Sequence, residues 1–199
     1  VGLVFGHDIG PNRGDEFLAA LQTALSQRGY LALRFNFPFV ERGKKRPDSA
    51  QILERTFRAA TAYLLRDPQT APARIFLGGL GLGCRVASQM VAQGYVADGL
   101  VCMSYPLHPS GKPNQQRAEY LFRITCPMLF LQGSRDPYCR VDRLEVLLRR
   151  IGAPTYLHVI EDADHGLEPI KRSTRNPEEL KQEALSSIES FLRKAIGGF

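Results

Sequence analysis

This chain of 199 residues has few cysteines and no paired ones. Cys84, Cys102, Cys126 and Cys139 lie far apart with no C-x-x-C pair, which argues against a zinc site and a disulfide framework and leaves buried free thiols as the expectation. No apolar run approaches the roughly 18 residues a bilayer-spanning helix needs. The opening Val1-Gly2-Leu3-Val4-Phe5 lacks a basic leader and a cleavage site, so a cytoplasmic protein without membrane contact is expected. Repeats, low-complexity segments and any boundary worth a second domain are also missing. One domain over residues 1–199 with a full-sized core is expected.

Nucleotide fingerprints are incomplete as well. Glycines between a strand and a helix could cradle a phosphate, but a G-x-G-x-x-G count from Gly79 puts Cys84 in the third glycine's place. No acid ends the next strand, and there is no G-x-x-x-x-G-K-[ST]. The net charge is +6, yet the basic residues lack interleaved aromatics for stacking, which speaks against nucleic acid.

What is present is an alternation of short apolar strands and amphipathic helices. Strands are expected at residues 2–6, 30–37, 74–77, 99–105, 128–132 and 155–160. Helices should fill 15–27, 48–65 with Asp48 as cap, the stretch after the third strand to 93, 118–122, 141–150 and 177–195. Near-continuous apolar strands are buried on both faces. The expected fold is α/β, a parallel six-stranded sheet in chain order 2-1-3-4-5-6 with helices on both sides.

The strongest chemical signal is Ile75-Phe76-Leu77-Gly78-Gly79-Leu80-Gly81-Leu82-Gly83-Cys84, a strand running through glycines into a helix. Gly79 and Gly83 form the frame of a nucleophile elbow, in which strand and helix approach closely around one exposed residue. Here that residue is Gly81. Elbow backbone costs about 1 to 3 kcal/mol for a residue with a side chain, and glycine relieves it. Glycine also removes the attacking hydroxyl or thiol, a loss of roughly a million-fold in turnover.

Ligands of open parallel sheets bind beyond the carboxyl ends of the strands. The loop Gly6-His7-Asp8-Ile9-Gly10, the elbow, Asp136 and Asp164-His165 all fall there. An elbow, then an acid after a later strand, then a histidine after the last is the chain order of the α/β-hydrolases. Asp136 before Pro137 could equally be a turn residue, and Asp8 a helix cap or local turn. Two basic segments, Arg42 to Arg46 and Lys171-Arg172-Ser173-Thr174-Arg175, should overhang the same end. They read as solvated surface or, through Arg42, Lys171 and Arg172, as contacts for an anionic small molecule or an acidic protein partner.

The chain resembles the small α/β-hydrolases related to dienelactone hydrolases, and within them the testis-expressed and non-specific-lethal-complex hydrolase-like group. The likeness runs through Arg34-Phe35-Asn36-Phe37-Pro38, Gly78-Gly79, Gly99-Leu100-Val101-Cys102, Tyr105-Pro106-Leu107-His108-Pro109, Gln132-Gly133-Ser134-Arg135-Asp136 and Asp164-His165-Gly166. It implies a three-layer hydrolase fold, with Asp136 orienting His165 as general base and Gly81 in the place of the serine. It implies no cofactor and no metal. By the same resemblance the chain begins at an inner strand, which would leave an N-terminal hairpin outside it.

Members of that family commonly read Gly-Gly-Arg-Ser-Met-Gly at the elbow, where this chain has Gly78 to Gly83 without the arginine and the serine. Asp8 stands where a small residue flanks the oxyanion hole that Leu82 should help to form. An acid there would repel a developing oxyanion. These departures favour a natural loss of covalent catalysis and retention of a binding site over an active esterase using another nucleophile or an activated water. Neither Cys84 nor Ser104 is well placed as a substitute. Activity on short activated esters, compared between this chain and Gly81→Ser, discriminates the two readings: turnover in the variant alone shows a residual dyad lacking its nucleophile, and robust turnover by the parent refutes the loss of catalysis.

Overall fold

The computed structural model describes residues 1–9 and 13–197; Gly10 and the chain's last two residues lie outside the described residues. Six strands are laid down in chain order: β1 Gly2–Gly6, β2 Leu31–Phe35, β3 Ile75–Leu80, β4 Gly99–Met103, β5 Met128–Gly133 and β6 Thr155–Ile160. All neighbouring pairs are parallel, and the sheet order is β2-β1-β3-β4-β5-β6. The helices are α1 Arg13–Gln27, α2 Pro38–Glu41, α3 Ala50–Leu65, α4 Leu82–Ala92, α5 Val141–Leu148 and α6 Pro177–Gly197, with a short 3-10 turn at Glu119–Arg123.

Alternation along the central strands sorts their side chains into two cores. Val4, Leu77, Leu100, Cys102, Met128 and Phe130 pack with Leu53 and Phe57 of α3, Val86 and Met90 of α4 and Leu144 of α5. Leu3, Phe5, Phe76, Val101, Met103, Leu129 and Leu131 meet Phe17, Leu21 and Leu25 of α1 and Leu185, Ile188 and Phe191 of α6 on the other face. Four central strands read as unbroken apolar runs because both their faces are covered. The outer strands β2 and β6 are only partly buried.

Several boundaries differ from expectation. Strand β2 stops at Phe35 because Pro38 opens the extra helix α2. Asp48 does not cap α3: Ser49 is the N-cap residue, and Asp48 Oδ1 instead accepts from Arg42 Nη2 at 2.6 Å. Strand β4 ends at Met103, since Ser104 takes the left-handed conformation with φ 48°. Strand β3, by contrast, runs on to Leu80, so the sheet carries the chain up to the elbow.

Glycine is required where β1, β3 and α4 converge. A Cβ on Gly79 or Gly83 would lie under 3.0 Å from the Gly6 carbonyl oxygen, and one on Gly78 equally close to that of Val101. This contact holds the start of α4 against the end of β1. Gly83→Ala is expected to cost about 3 kcal/mol or more, since rigid backbone faces the added methyl. Gly152→Ala, which meets nothing within 4 Å, should stay within about 0.5 kcal/mol of the parent. Urea unfolding of both variants measures the contrast.

Candidate active site

The elbow forms at the carboxyl end of the interior strand β3, where it hands over to α4. Gly81 has φ 51° and ψ −106°, and its N–H donates to the Met103 carbonyl at 2.9 Å. The first N–H of α4, on Leu82, points away from the helix and lacks an intrahelical partner by geometry. It donates at 2.8 Å to Oδ1 of Asp8, reaching across from the loop after β1. A carboxylate at the positive end of a helix gains up to about 2 kcal/mol in partly buried settings.

The same carboxylate lies against the histidine. Nε2 of His165 is 3.2 Å from Asp8 Oδ2, and Nδ1 is 2.7 Å from Asp136 Oδ2. Three loops, after β1, β5 and β6, thus meet in a chain Asp8–His165–Asp136 laid over the elbow. Asp136 is fixed further by Gln132 Nε2 at 2.7 Å, and its Oδ1 accepts the Tyr138 N–H at 2.8 Å. It is therefore both a turn residue and the partner of His165.

With a carboxylate at each ring nitrogen, both carry protons and His165 is an imidazolium. Burial alone would disfavour that charge, but the hydrogen bonds and charges of Asp136 and Asp8 outweigh it and raise the pKa to about 10. Burial likewise opposes ionisation of Asp8, yet His165 and the N–H groups of Leu82 and Ile9 hold its pKa below the ordinary carboxylate value. At neutral pH the ring is therefore held protonated, which opposes its use as a general base.

Two features suit glycine at residue 81: its positive φ and the Asp8 carboxylate above it. A Cβ at Gly81 would fall under 3.0 Å from both Asp8 Oδ1 and its carboxyl carbon. A serine placed at residue 81 would therefore enter space that the Asp8 carboxylate occupies, and Asp8 would have to shift to admit it. The Asp8 carboxylate also takes the Leu82 N–H.

Three further residues support the site: His7, already placed there with its loop, and Gln132 and Tyr138, which were not singled out from the sequence. Nε2 of His7 accepts the Phe37 N–H at 2.9 Å, so its Nδ1 carries the proton and donates to the Asp8 carbonyl, fixing the loop to the end of β2. Gln132 is a buried amide ending an apolar strand, a mismatch visible in the sequence. Tyr138 packs its ring on His165 at 4.7 Å. Ser104 is fully buried, and Cys84 donates its thiol to the Gly81 carbonyl, so neither faces the histidine as a nucleophile. Arg42 is paired with Asp48, while Lys171 and Arg172 are exposed. Among the described residues no contact joins these three to the Asp8–His165–Asp136 chain.

A family model described as an alpha/beta hydrolase domain matches residues 1–193. Among solved structures, an alpha-beta serine hydrolase homologue from Coxiella burnetii superposes with a TM-score of 0.70 at 19% identity, covering 94% of this chain and 85% of that one. Dienelactone hydrolase from Anabaena variabilis gives 0.69 at 19% identity over 96% and 86%. A serine hydrolase without a lid from Xanthomonas campestris gives 0.66 at 16% identity over 94% and 81%. At these identities the likeness is one of fold.

Two measurements check the charge assignment. The folded pKa of His165 lies above the unfolded value near 6.5, so the stability it confers is fully present below about pH 6.5 and lost as pH rises toward 10. A His165→Asn variant should show a flatter stability profile across that window in urea melts. In Asp8→Asn, one carboxylate is gone, and NMR titration should find the His165 pKa lowered by at least about one unit.

Proposed function

Because this chain belongs to the alpha/beta hydrolase domain family, we propose that it keeps the family's scaffold but has lost serine-type acyl transfer and uses the site at the strand ends to bind a small molecule. One observation carries this reading: the Asp8 carboxylate stands in the space that a side chain at residue 81 would enter and takes the Leu82 N–H. A nucleophile is missing, the Leu82 donor is engaged, and His165 already holds the proton it would have to accept. A water activated by His165 is disfavoured for the same reason.

Charge refines the ligand. Two carboxylates and one imidazolium leave the site with one negative charge, so an anionic group would not seat at Asp8. It would face Lys171 and Arg172 on the exposed rim, with Arg42 restrained by its acid. An acidic protein partner on the same rim is the alternative, which charge reversal at Arg172 would weaken. Within the family we place the chain nearest the testis-expressed and non-specific-lethal-complex hydrolase-like group, on the motifs from Arg34-Phe35-Asn36-Phe37-Pro38 to Asp164-His165-Gly166. Among the described residues no helix is long and apolar enough to cross a membrane. The free thiols suit the reducing cytoplasm.

Turnover of p-nitrophenyl acetate tests the loss of acyl transfer. The parent and Gly81→Ser should both match the His165→Asn background. The double variant Asp8→Gly with Gly81→Ser empties the space, frees Leu82 and returns a hydroxyl to the elbow, and should exceed the parent by at least about 100-fold. Parent turnover in the ordinary enzyme range of about 1 to 1000 per second would overturn the reading.

A further inference from the structure

We infer that the protein carries a second small-molecule site on the flank of the sheet, a groove between β6 and α6 that takes a small aromatic carboxylate through Lys194. The inference goes beyond the reading above, because none of the walls of this groove belongs to the Asp8–His165–Asp136 chain.

The groove arises where the sheet stops. Strand β6 is the outermost on its side, so no further strand pairs with its free edge, and α6 packs across the face that β5 and β6 share. Helical spacing sets residues 183, 187, 190 and 194 of α6 along one line. Neighbouring lines send Leu185, Ile188 and Leu192 into the core, but this one carries Ser187 and Ser190, whose short side chains leave space beside the strand. That space is a cavity of about 420 Å³. Small-molecule clefts span roughly 300 to 1,000 Å³, so the size suits a compact ligand.

Charge selects the head group. At one end of the groove Glu183 already has its partners: Oε1 lies 2.7 Å from Nε2 of His158, and Oε2 accepts from Nη2 of Arg175. At the other end Lys194 is exposed, its ammonium 5.2 Å from the centre of the Tyr156 ring. Among the described residues no carboxylate lies within ion-pair distance of Lys194. The uncompensated charge of the groove is therefore one cation, which suits a monoanion. Ser190 stands one turn before Lys194 on the same line, and among the described residues its hydroxyl has no protein partner. A carboxylate can accept from that hydroxyl and from the ammonium together.

The walls select the rest of the ligand. Between the two charged ends stand the half-buried Tyr156 and Leu157, over a floor of Leu129 and Phe191. Tyr156 and Phe191 meet edge to face with centroids 5.7 Å apart, an arrangement that a third ring can extend. One ring on a short acid arm puts its carboxylate at Lys194 and its apolar body against this pair.

Titration of the isotope-labelled parent protein with phenylpropionate, followed by amide NMR shifts, tests the site. Saturable shifts are expected at Tyr156, His158, Ser187 and Ser190, with a Kd below about 1 mM. Lys194→Gln should weaken binding by at least about 10-fold, while Lys194→Arg should keep it. Ser187→Leu, which fills the groove, should abolish the shifts. Phenylpropanol, the ring without the charge, and octanoate, the charge without the ring, should each bind at least about 10-fold more weakly than phenylpropionate. Equal binding of either analogue, an unaffected Lys194→Gln variant, or no shifts up to about 10 mM acid would overturn the proposal. Shifts at Asp8, Tyr138 and His165 in place of the groove would overturn it too, by seating the acid at the strand ends. A silent groove sinks this inference alone and leaves the strand-end reading to its own assay.

Discussion

Above the elbow there is room for one group, and two parts of the chain could supply it. A side chain at position 81 would rise into the space from below, and the Asp8 carboxylate enters from the side. The protein has the second arrangement, and the character of the site depends on it. Leu82 has an acceptor, His165 has a second counter-charge, and the loop after β1 is tied to the start of α4. The Leu82 N–H and the His165 ring hold the carboxylate in the space that a side chain at residue 81 would need.

Around that space the backbone itself is closely packed. Gly6, Gly79 and Gly83 press β1, β3 and α4 together at distances that admit no side chain. His7 fastens the loop carrying Asp8 to the end of β2, and Gln132 fastens Asp136 from below. The charged chain is therefore assembled from three loops held by a rigid sheet end. An ion pair placed this way loses little to solvent screening and can hold a histidine charged well above neutral pH.

The architecture was legible in the sequence because burial on both faces leaves an unmistakable mark. Runs such as Gly99-Leu100-Val101-Cys102-Met103 admit only a covered strand, and their alternation with helices dictates a parallel sheet and its order. Chain order singled out Asp136 and His165 without coordinates, and the structure brings them together. What the residues could not reveal was the reach of Asp8. Its pairing spans 74 positions to Leu82 and depends on how one loop bends, which no local periodicity encodes. The Asp48 cap failed for a similar reason: a nearby arginine competes for the same carboxylate, and an ion pair won over a backbone N–H. Local rules describe a residue's options, while tertiary partners choose among them.

The crowding over Gly81 also couples two positions that lie far apart in the chain. A Cβ at residue 81 and the Asp8 carboxylate claim the same volume, so a side chain at 81 fits only where Asp8 turns aside or is shortened. Each of the two residues thereby limits what the other can be.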